Sequence, residues 1–200
     1  MTARASQATD GRTARAERNA SAIVDALLSF YRRGDYTPTV EQIAERAGLT
    51  RRSVYNRFGD AEQVALELAR RQLAEHGPLY AAAPRPEAPR AQRIAQLVEQ
   101  RAALYEAIAP VRRAALANAH RSPTIRRQMR ELSRFGRSLV EQTFQCELAP
   151  LPPARRQTAL ELLDLLCSFE AWDRLRQVQR MGADAAREAM ERAVRGALEG

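Results

Sequence analysis

The stretch Thr39 to Phe58, TVEQIAERAGLTRRSVYNRF, constrains this chain more than any other, because it spells two short helices joined by a turn that permits only a crossed pair. Val40, Ile43, Ala44 and Ala47 fall at i, i+3, i+4 and i+7, which gathers apolar groups on one helical face. Thr39 stands where an N-cap belongs, and Gln42 three residues on completes a capping box. Gly48 supplies a positive-φ residue where the first helix must stop, Leu49 fills the wedge, and Thr50 caps the second helix.

In that second helix Val54 and Phe58 form the inward pair at i and i+4, leaving Arg51, Arg52, Ser53, Tyr55 and Asn56 on the N-terminal and outer side. This assortment suits a DNA major groove. Arginine forks onto guanine O6 and N7, asparagine bridges adenine N6 and N7, and serine serves either role or a phosphate. Tyr55 and Arg57 reach phosphates from the groove edge, which fixes register without reading sequence. With Thr39 and Thr50 at the helix starts, these residues make the expected DNA-contacting set. An ordinary helical hairpin with a wet basic face has the same spacing, so pattern alone leaves both readings open.

The residues Ile43-Ala44, Ala47-Gly48-Leu49-Thr50, Val54-Tyr55, Phe58, Gly59 and Glu62 together resemble the helix-turn-helix of the TetR (tetracycline-repressor-like) family of bacterial transcriptional regulators. The likeness is strong over roughly the first 75 residues. Ala61 departs from it, standing where many members carry a phosphate-contacting lysine, so a nearby arginine such as Arg57 must replace that contact or the contact is given up. The resemblance implies an all-α chain of about nine helices: a three-helix DNA-binding domain over 1–76, then a helical ligand-binding and dimerisation domain over 77–200. It further implies a homodimer on a near-palindromic double-stranded operator, most simply a repressor released by a small hydrophobic or aromatic ligand. The alternative is a helical protein of the same type that acts through protein partners without an operator. A damaged recognition helix would mark that alternative, and Arg51, Ser53, Tyr55 and Asn56 are intact.

Around the motif, Ala20, Ile23, Val24, Leu27, Leu28 and Tyr31 recur with helical spacing after a polar tail, up to Gly34. Arg4, Arg12, Arg15 and Arg18 of the tail offer minor-groove or phosphate contacts of the kind an arm makes. Asp60 caps the next helix, which runs toward His76. The proline-rich run GPLYAAAPRPEAP, Gly77 to Pro89, is expected to interrupt the helices and mark the domain boundary. A helix over about 91–108 follows, Pro110 opens a short one, and Ser122-Pro123 is a cap plus N1 proline opening another. On that helix Arg126, Arg127, Arg130, Arg134 and Arg137 lie opposite the apolar side, as a solvated face does.

From Pro153 to Arg180 the pattern reads as one long helix, apolar on nearly its whole circumference between Ala159 and Val178, so it must be covered on two sides. One stripe is Leu160, Leu163, Cys167, Ala171 and Val178; the other is Leu162, Leu165, Phe169 and Trp172. The resemblance implies a dimer interface built from the last two long helices. The first stripe is therefore expected to meet Ala186, Ala189, Met190, Ala193 and Ala197 of the final helix at that interface. The aromatic stripe, Leu165, Phe169 and Trp172, is expected to face a ligand pocket completed by Tyr105, Met129 and Phe144, with His120 as a polar anchor. The segment Ser168 to Arg176, SFEAWDRLR, also resembles the regulatory domain of some TetR-like proteins.

Composition excludes several other classes. With 45% hydrophobic and 28% charged residues the chain belongs with globular proteins. Its most apolar run, Leu160 to Phe169, already contains Glu161 and Asp164, so no membrane span is expected. The first dozen residues have no apolar core or cleavage pattern, which points to the cytoplasm. The net charge of +8 suits a polyanionic partner, although most of the excess lies beyond residue 76. Cys146 and Cys167 have no metal spacing and are expected to be buried thiols. With His76 and His120 the only histidines, no nucleophile elbow and no phosphate-cradling loop, neither enzyme, cofactor nor metal site is expected.

Overall fold

The computed structural model describes residues 2–199, with side chains from residue 13 onward, and every regular element among them is helical. In chain order these are α1 (Thr2–Arg32), α2 (Val40–Arg46), α3 (Arg51–Phe58), α4 (Ala61–Ala81), α5 (Arg90–Asn118), α6 (Pro123–Thr143) and α7 (Gln145–Leu148). Then come α8 (Pro153–Leu166), α9 (Phe169–Asp173), a π-helical turn (Arg174–Val178) and α10 (Ala183–Glu199). Contacts divide the chain into two units. One holds the residues up to Ala74 together with Pro110–Arg126; the other holds Glu75–Ala109 and the residues from Arg127 onward. The segment 110–126 therefore folds with the N-terminal unit, which a single boundary at 76/77 does not provide for.

Inside the N-terminal unit, Ile23, Val24, Leu27 and Tyr31 of α1 form a platform for Val40, Ile43, Ala44, Val54, Val64 and Leu68. Two side chains tie the returning segment in. Asn118 Nδ2 donates to the carbonyl of Tyr36 at 2.8 Å, and the buried Ser122 hydroxyl donates to Glu62 Oε1 at 2.8 Å while accepting from the amide of Ile125. Ser122 is thus both the cap of α6, as its Ser-Pro sequence implies, and a long-range tether.

The second unit is centred on α5, whose Ile94, Leu97, Val98, Ala102, Leu104, Tyr105 and Ile108 are buried on more than one side. Around it lie Phe144, Leu148, Leu160, Leu163, Phe169, Trp172, Met190 and Val194. Arg93 is buried with these groups. Its guanidinium donates to Glu147 Oε2 at 2.9 Å and to the carbonyls of Ala88 and Thr143, so the desolvated charge has full compensation.

Four expectations about helix boundaries differ from the structure. The first helix begins at Thr2, because the tail is rich in alanine and arginine and has no proline. The side chains of Arg4 and Arg12 lie outside the described residues; those of Arg15 and Arg18 are exposed. Helix α4 continues through Gly77 and Pro78 to Ala81, and α5 runs unbroken through Pro110. Proline's φ is itself helical, so what an interior proline costs is the lost backbone hydrogen bond and the clash of its ring with the carbonyl four residues back, and the packing of these two long helices outweighs both. The fourth difference is a break that the apolar spacing does not signal. After Leu166 the expected single helix over 153–180 breaks, because Ser168 takes an extended conformation and caps α9, accepting from the amide of Ala171 at 3.1 Å. The final turn stops at Arg180, which takes the left-handed conformation with φ of 56°.

Candidate nucleic-acid interface and core of the second unit

The local chemistry of 39–63 builds the candidate interface one cap at a time. Thr39 Oγ1 accepts from the amide of Gln42 at 3.3 Å, and Gln42 Oε1 accepts from the amide of Thr39 at 2.8 Å, a complete capping box. Gly48, with φ of 68°, turns the chain, and the amide of Leu49 reaches the carbonyl of Ala44 at 2.9 Å. Thr50 then caps α3 through the amide of Ser53 at 3.2 Å, and its hydroxyl also meets that of Ser53 at 2.9 Å. Gly59, with φ of 83°, ends α3, and Asp60 caps α4 through the amide of Gln63. Side-chain acceptors satisfy amide groups that helix starts leave open, so both helices are held locally.

This frame turns the recognition helix outward. Val54 is fully buried and Phe58 half-buried against the α1 platform, while Arg51, Arg52, Tyr55, Asn56 and Arg57 are exposed and Ser53 is half-exposed. Among the described residues Arg52 and Asn56 have no hydrogen-bonding or ionic partner, so both present their full donor and acceptor sets to a ligand. Arg51 differs. Its Nε lies 2.8 Å from Glu41 Oε1, its Nη2 donates to the Tyr55 hydroxyl at 3.1 Å, and its guanidinium stacks 5.0 Å from the Tyr55 ring centroid. Glu41 was not anticipated, and no spacing rule could have found it, since the pair joins two different helices.

In the second unit the structure redistributes the residues expected at the dimer interface and the ligand pocket. Leu160, Leu163, Cys167, Ala186 and Met190, expected to face a second copy, are buried in the core of their own unit. Leu160 and Leu163 precede the break at Ser168 and share the inward face of α8, as Ala186 and Met190 share that of α10; the break itself parts the buried Phe169 and Trp172 from Leu162 and Leu165, with which a constant 100° per residue through 153–180 groups them. Of the remaining interface candidates, Ala171, Ala189, Ala193 and Ala197 are half-buried and Val178 is 66% exposed. Leu165, expected on the pocket wall, is 61% exposed, and Leu162 beside it on α8 is exposed as well.

Four of the other expected pocket residues do come together, as packed core. Tyr105 and Phe169 meet edge to face with centroids 5.6 Å apart, and both lie in the buried cluster with Phe144 and Trp172. Their polar ends are engaged: the Tyr105 hydroxyl donates to the carbonyl of Cys167 at 2.6 Å, and Trp172 Nε1 donates to Glu106 Oε1 at 3.0 Å. Met129 is half-buried, and His120 is exposed in the N-terminal unit, accepting from Arg121 Nε at 3.0 Å. Burial pushes the Cys167 thiol up to about 12, so it stays protonated, whereas Cys146, expected to be buried, is exposed. Among the described residues no group of three or more acidic, histidine or cysteine side chains is placed to hold a metal ion, and no helix is long and apolar enough to cross a membrane.

Comparison with known proteins agrees with this geometry. Residues 23–68, which span the platform, both short helices and the start of α4, match the family described as bacterial regulatory proteins, tetR family. A transcriptional regulator from Rhodococcus sp. Rha1 superposes with a TM-score of 0.68 at 18% identity, covering 92% of this chain and 96% of its own. SmeT in complex with triclosan gives 0.62 at 19% identity, over 90% of both chains. The multidrug binding protein EbrR complexed with imidazole gives 0.53 at 17% identity, over 87% of this chain and 93% of its own. At such identities the likeness establishes a shared fold. No curated protein matches the sequence.

Proposed function

We propose that this chain, a DNA-binding regulator of the TetR family by its N-terminal domain, is a repressor that grips a near-palindromic operator as a homodimer and lets go when a small organic ligand enters the second unit. The observation that carries the reading is the outward face of α3, where Arg52 and Asn56 stand free above a fully buried Val54. Those two side chains match guanine and adenine edges, while Tyr55, Arg57, Ser53, Thr39 and Thr50 suit the phosphates on either side. Such a protein works in the cytoplasm, where its operator is.

One reading helix contacts too few base pairs for useful specificity, and a two-fold dimer sets two of them a helical turn or a multiple apart. The exposed leucines of α8, Leu162 and Leu165, offer apolar area for that contact beside α10, which packs against α8. Leu165→Arg places a charge there without entering the core, and is expected to yield monomers in light scattering with operator affinity lost. A variant that remains dimeric at micromolar concentration overturns this choice of surface.

Ligand response is supported by two neighbours of the same fold whose structures hold small molecules, triclosan and imidazole. The operator reading is tested by replacing Asn56 or Arg52 with alanine and titrating both operator and random DNA. Each substitution is expected to cost about 1–3 kcal/mol on the operator only, relaxing specificity at one position per half-site. Equal losses on both DNAs would assign these residues to phosphates instead.

A further inference from the structure

Two arginines of α5 are equally buried, each 4% exposed, and they are provided for differently. Arg93 has the Glu147 carboxylate and two carbonyls. Arg101 has only the carbonyl of Gly136 on α6, to which its Nη2 donates at 2.9 Å. Among the described residues it forms no ion pair. Glu161 and Asp164 of α8 are taken by Arg137, at 2.9 and 3.5 Å, and Asp164 feels the charge of Arg101 without pairing with it. A guanidinium does not shed its proton when buried, as a lysine can, so this charge stands in the core with one neutral acceptor. Such a charge is costly until an anion meets it.

One edge of the guanidinium is open. Its Nε is sealed within the protein, but Nη1, which likewise has no hydrogen-bond partner, is not. Gly136 leaves that edge clear: a Cβ there would lie 3.6 Å from Nη1 and 3.7 Å from Nη2. The links from Arg93 to Thr143 and from Arg101 to Gly136 set α5 and α6 antiparallel, so the seam beyond Arg101 has Tyr105 and Ile108 on one side and Leu132 and Met129 on the other. Leu132 and Met129 precede Gly136 by four and seven residues on the same helical face and are only half-buried, so this side of the seam stays open. From Gly136 to Met129 it runs about 10 Å at 1.5 Å per residue. Tyr105 and Met129, both expected to contact a ligand, fall on it.

We propose that this seam binds a small apolar carboxylic acid, with the carboxylate accepting from Arg101 Nη1 and the apolar body lying along Leu132 and Met129. The assignment deepens the ligand-responsive reading by naming an anchor and a chemical class, and it rests on that reading only for its effect on DNA. A cation is repelled by Arg101, and a neutral ligand leaves the buried charge unmet.

The test uses the full chain without DNA and titrates 4-phenylbutyrate, 4-phenylbutan-1-ol and 4-phenylbutylamine by calorimetry. Saturable binding of the acid is expected, with the alcohol weaker by about tenfold because it brings no charge to Arg101, and no binding of the amine. Arg101→Met keeps an apolar stem and should erase the preference for acid over alcohol. That change also removes the link to Gly136, so Gly136→Ala is the second variant. Its methyl makes only ordinary contact with the guanidinium and sits in a helix, where alanine is favoured, so the fold is kept while the open edge of Nη1 is covered. It should weaken the acid by about tenfold and leave the alcohol unchanged. Equal affinity for acid and alcohol, an undiminished preference in either variant, or no saturable binding of the acid to the wild type overturns the site. Operator titration with and without 4-phenylbutyrate then separates the two readings: binding with these preferences but unchanged operator affinity upholds the site and overturns induction through it.

Discussion

The two short helices around Gly48 and the core of the second unit hold their polar groups in opposite ways. Around the recognition helix the hydrogen bonds that shape the backbone span three residues: Thr39 with Gln42, Thr50 with Ser53, Asp60 with Gln63. In the second unit the decisive ones reach across the chain and are wholly or partly buried: Arg93 to Glu147, Arg101 to the carbonyl of Gly136, Tyr105 to the carbonyl of Cys167, Trp172 to Glu106. A helix pair built from local caps presents its outer side chains without using them as structure, which leaves Arg52 and Asn56 without internal partners and open to the bases of the proposed operator. A core fastened by long-range staples, as in the second unit, stores its stability in a few contacts between distant segments.

The largest expected effect follows from the staple that carries charge on both sides. Glu147→Ala leaves the Arg93 guanidinium buried without its counter-charge, and should cost about 3 kcal/mol. Trp172 lies in the same core, so denaturant unfolding followed by its emission checks this directly. The pair also sets a pH dependence. Hydrogen bonding to Arg93 holds the Glu147 carboxyl below its usual value of 4.5 against the opposing effect of burial. A carboxyl whose folded value is depressed contributes stability above the unfolded value and loses it as pH falls through the folded one. Wild-type stability should therefore drop more steeply than that of Glu147→Gln below pH about 4.5. Parallel curves would show that the pair is not coupled to folding.

The N-terminal caps should show smaller, local effects. Thr39→Ala removes one half of the capping box and is expected to cost about 1 kcal/mol. Hydrogen exchange at the Gln42 amide is the measurement, since that amide loses its acceptor; unchanged protection there would mean that packing on Val40 and Ile43, not the cap, holds α2.

This contrast explains what could be read from the residues alone. Caps, glycine turns and apolar spacing are local, so Thr39, Gly48, Thr50 and the burial of Val54 were all legible, as was the all-α class. The second unit depends on which distant segments meet. The periodicity of 153–178 assumes a straight helix, and one serine cap at Ser168 parts the buried Phe169 and Trp172 from the exposed Leu162 and Leu165, while distant packing decides that the stripe of Leu160 and Leu163 turns inward. The prolines misled for the converse reason. Pro78 and Pro110 are strong local signals for an end, yet the packing of α4 and α5 outweighs a single lost hydrogen bond at each. The return of 110–126 to the N-terminal unit through Asn118 and Ser122 has no local signature at all.

The smallest expected effect lies where the reader departs from its own rule. Arg51 is the recognition-helix side chain engaged by a group on another helix, Glu41 of α2, and it is held from the other side by Tyr55. If Arg51 forks onto a guanine it must leave Glu41, and the ion pair then competes with DNA. Both groups are exposed, and an exposed pair of this kind is weak and easily screened. Glu41→Gln should thus tighten operator binding by only about threefold, with the gain shrinking as salt rises. Removing a negative charge near phosphates also helps any DNA, so the gain by itself does not implicate Arg51. A double-mutant cycle separates the two causes. If Glu41 restrains Arg51, the gain disappears in the Arg51→Ala background; if the same gain persists there, the pair is incidental and Arg51 is as free to bind DNA as Arg52.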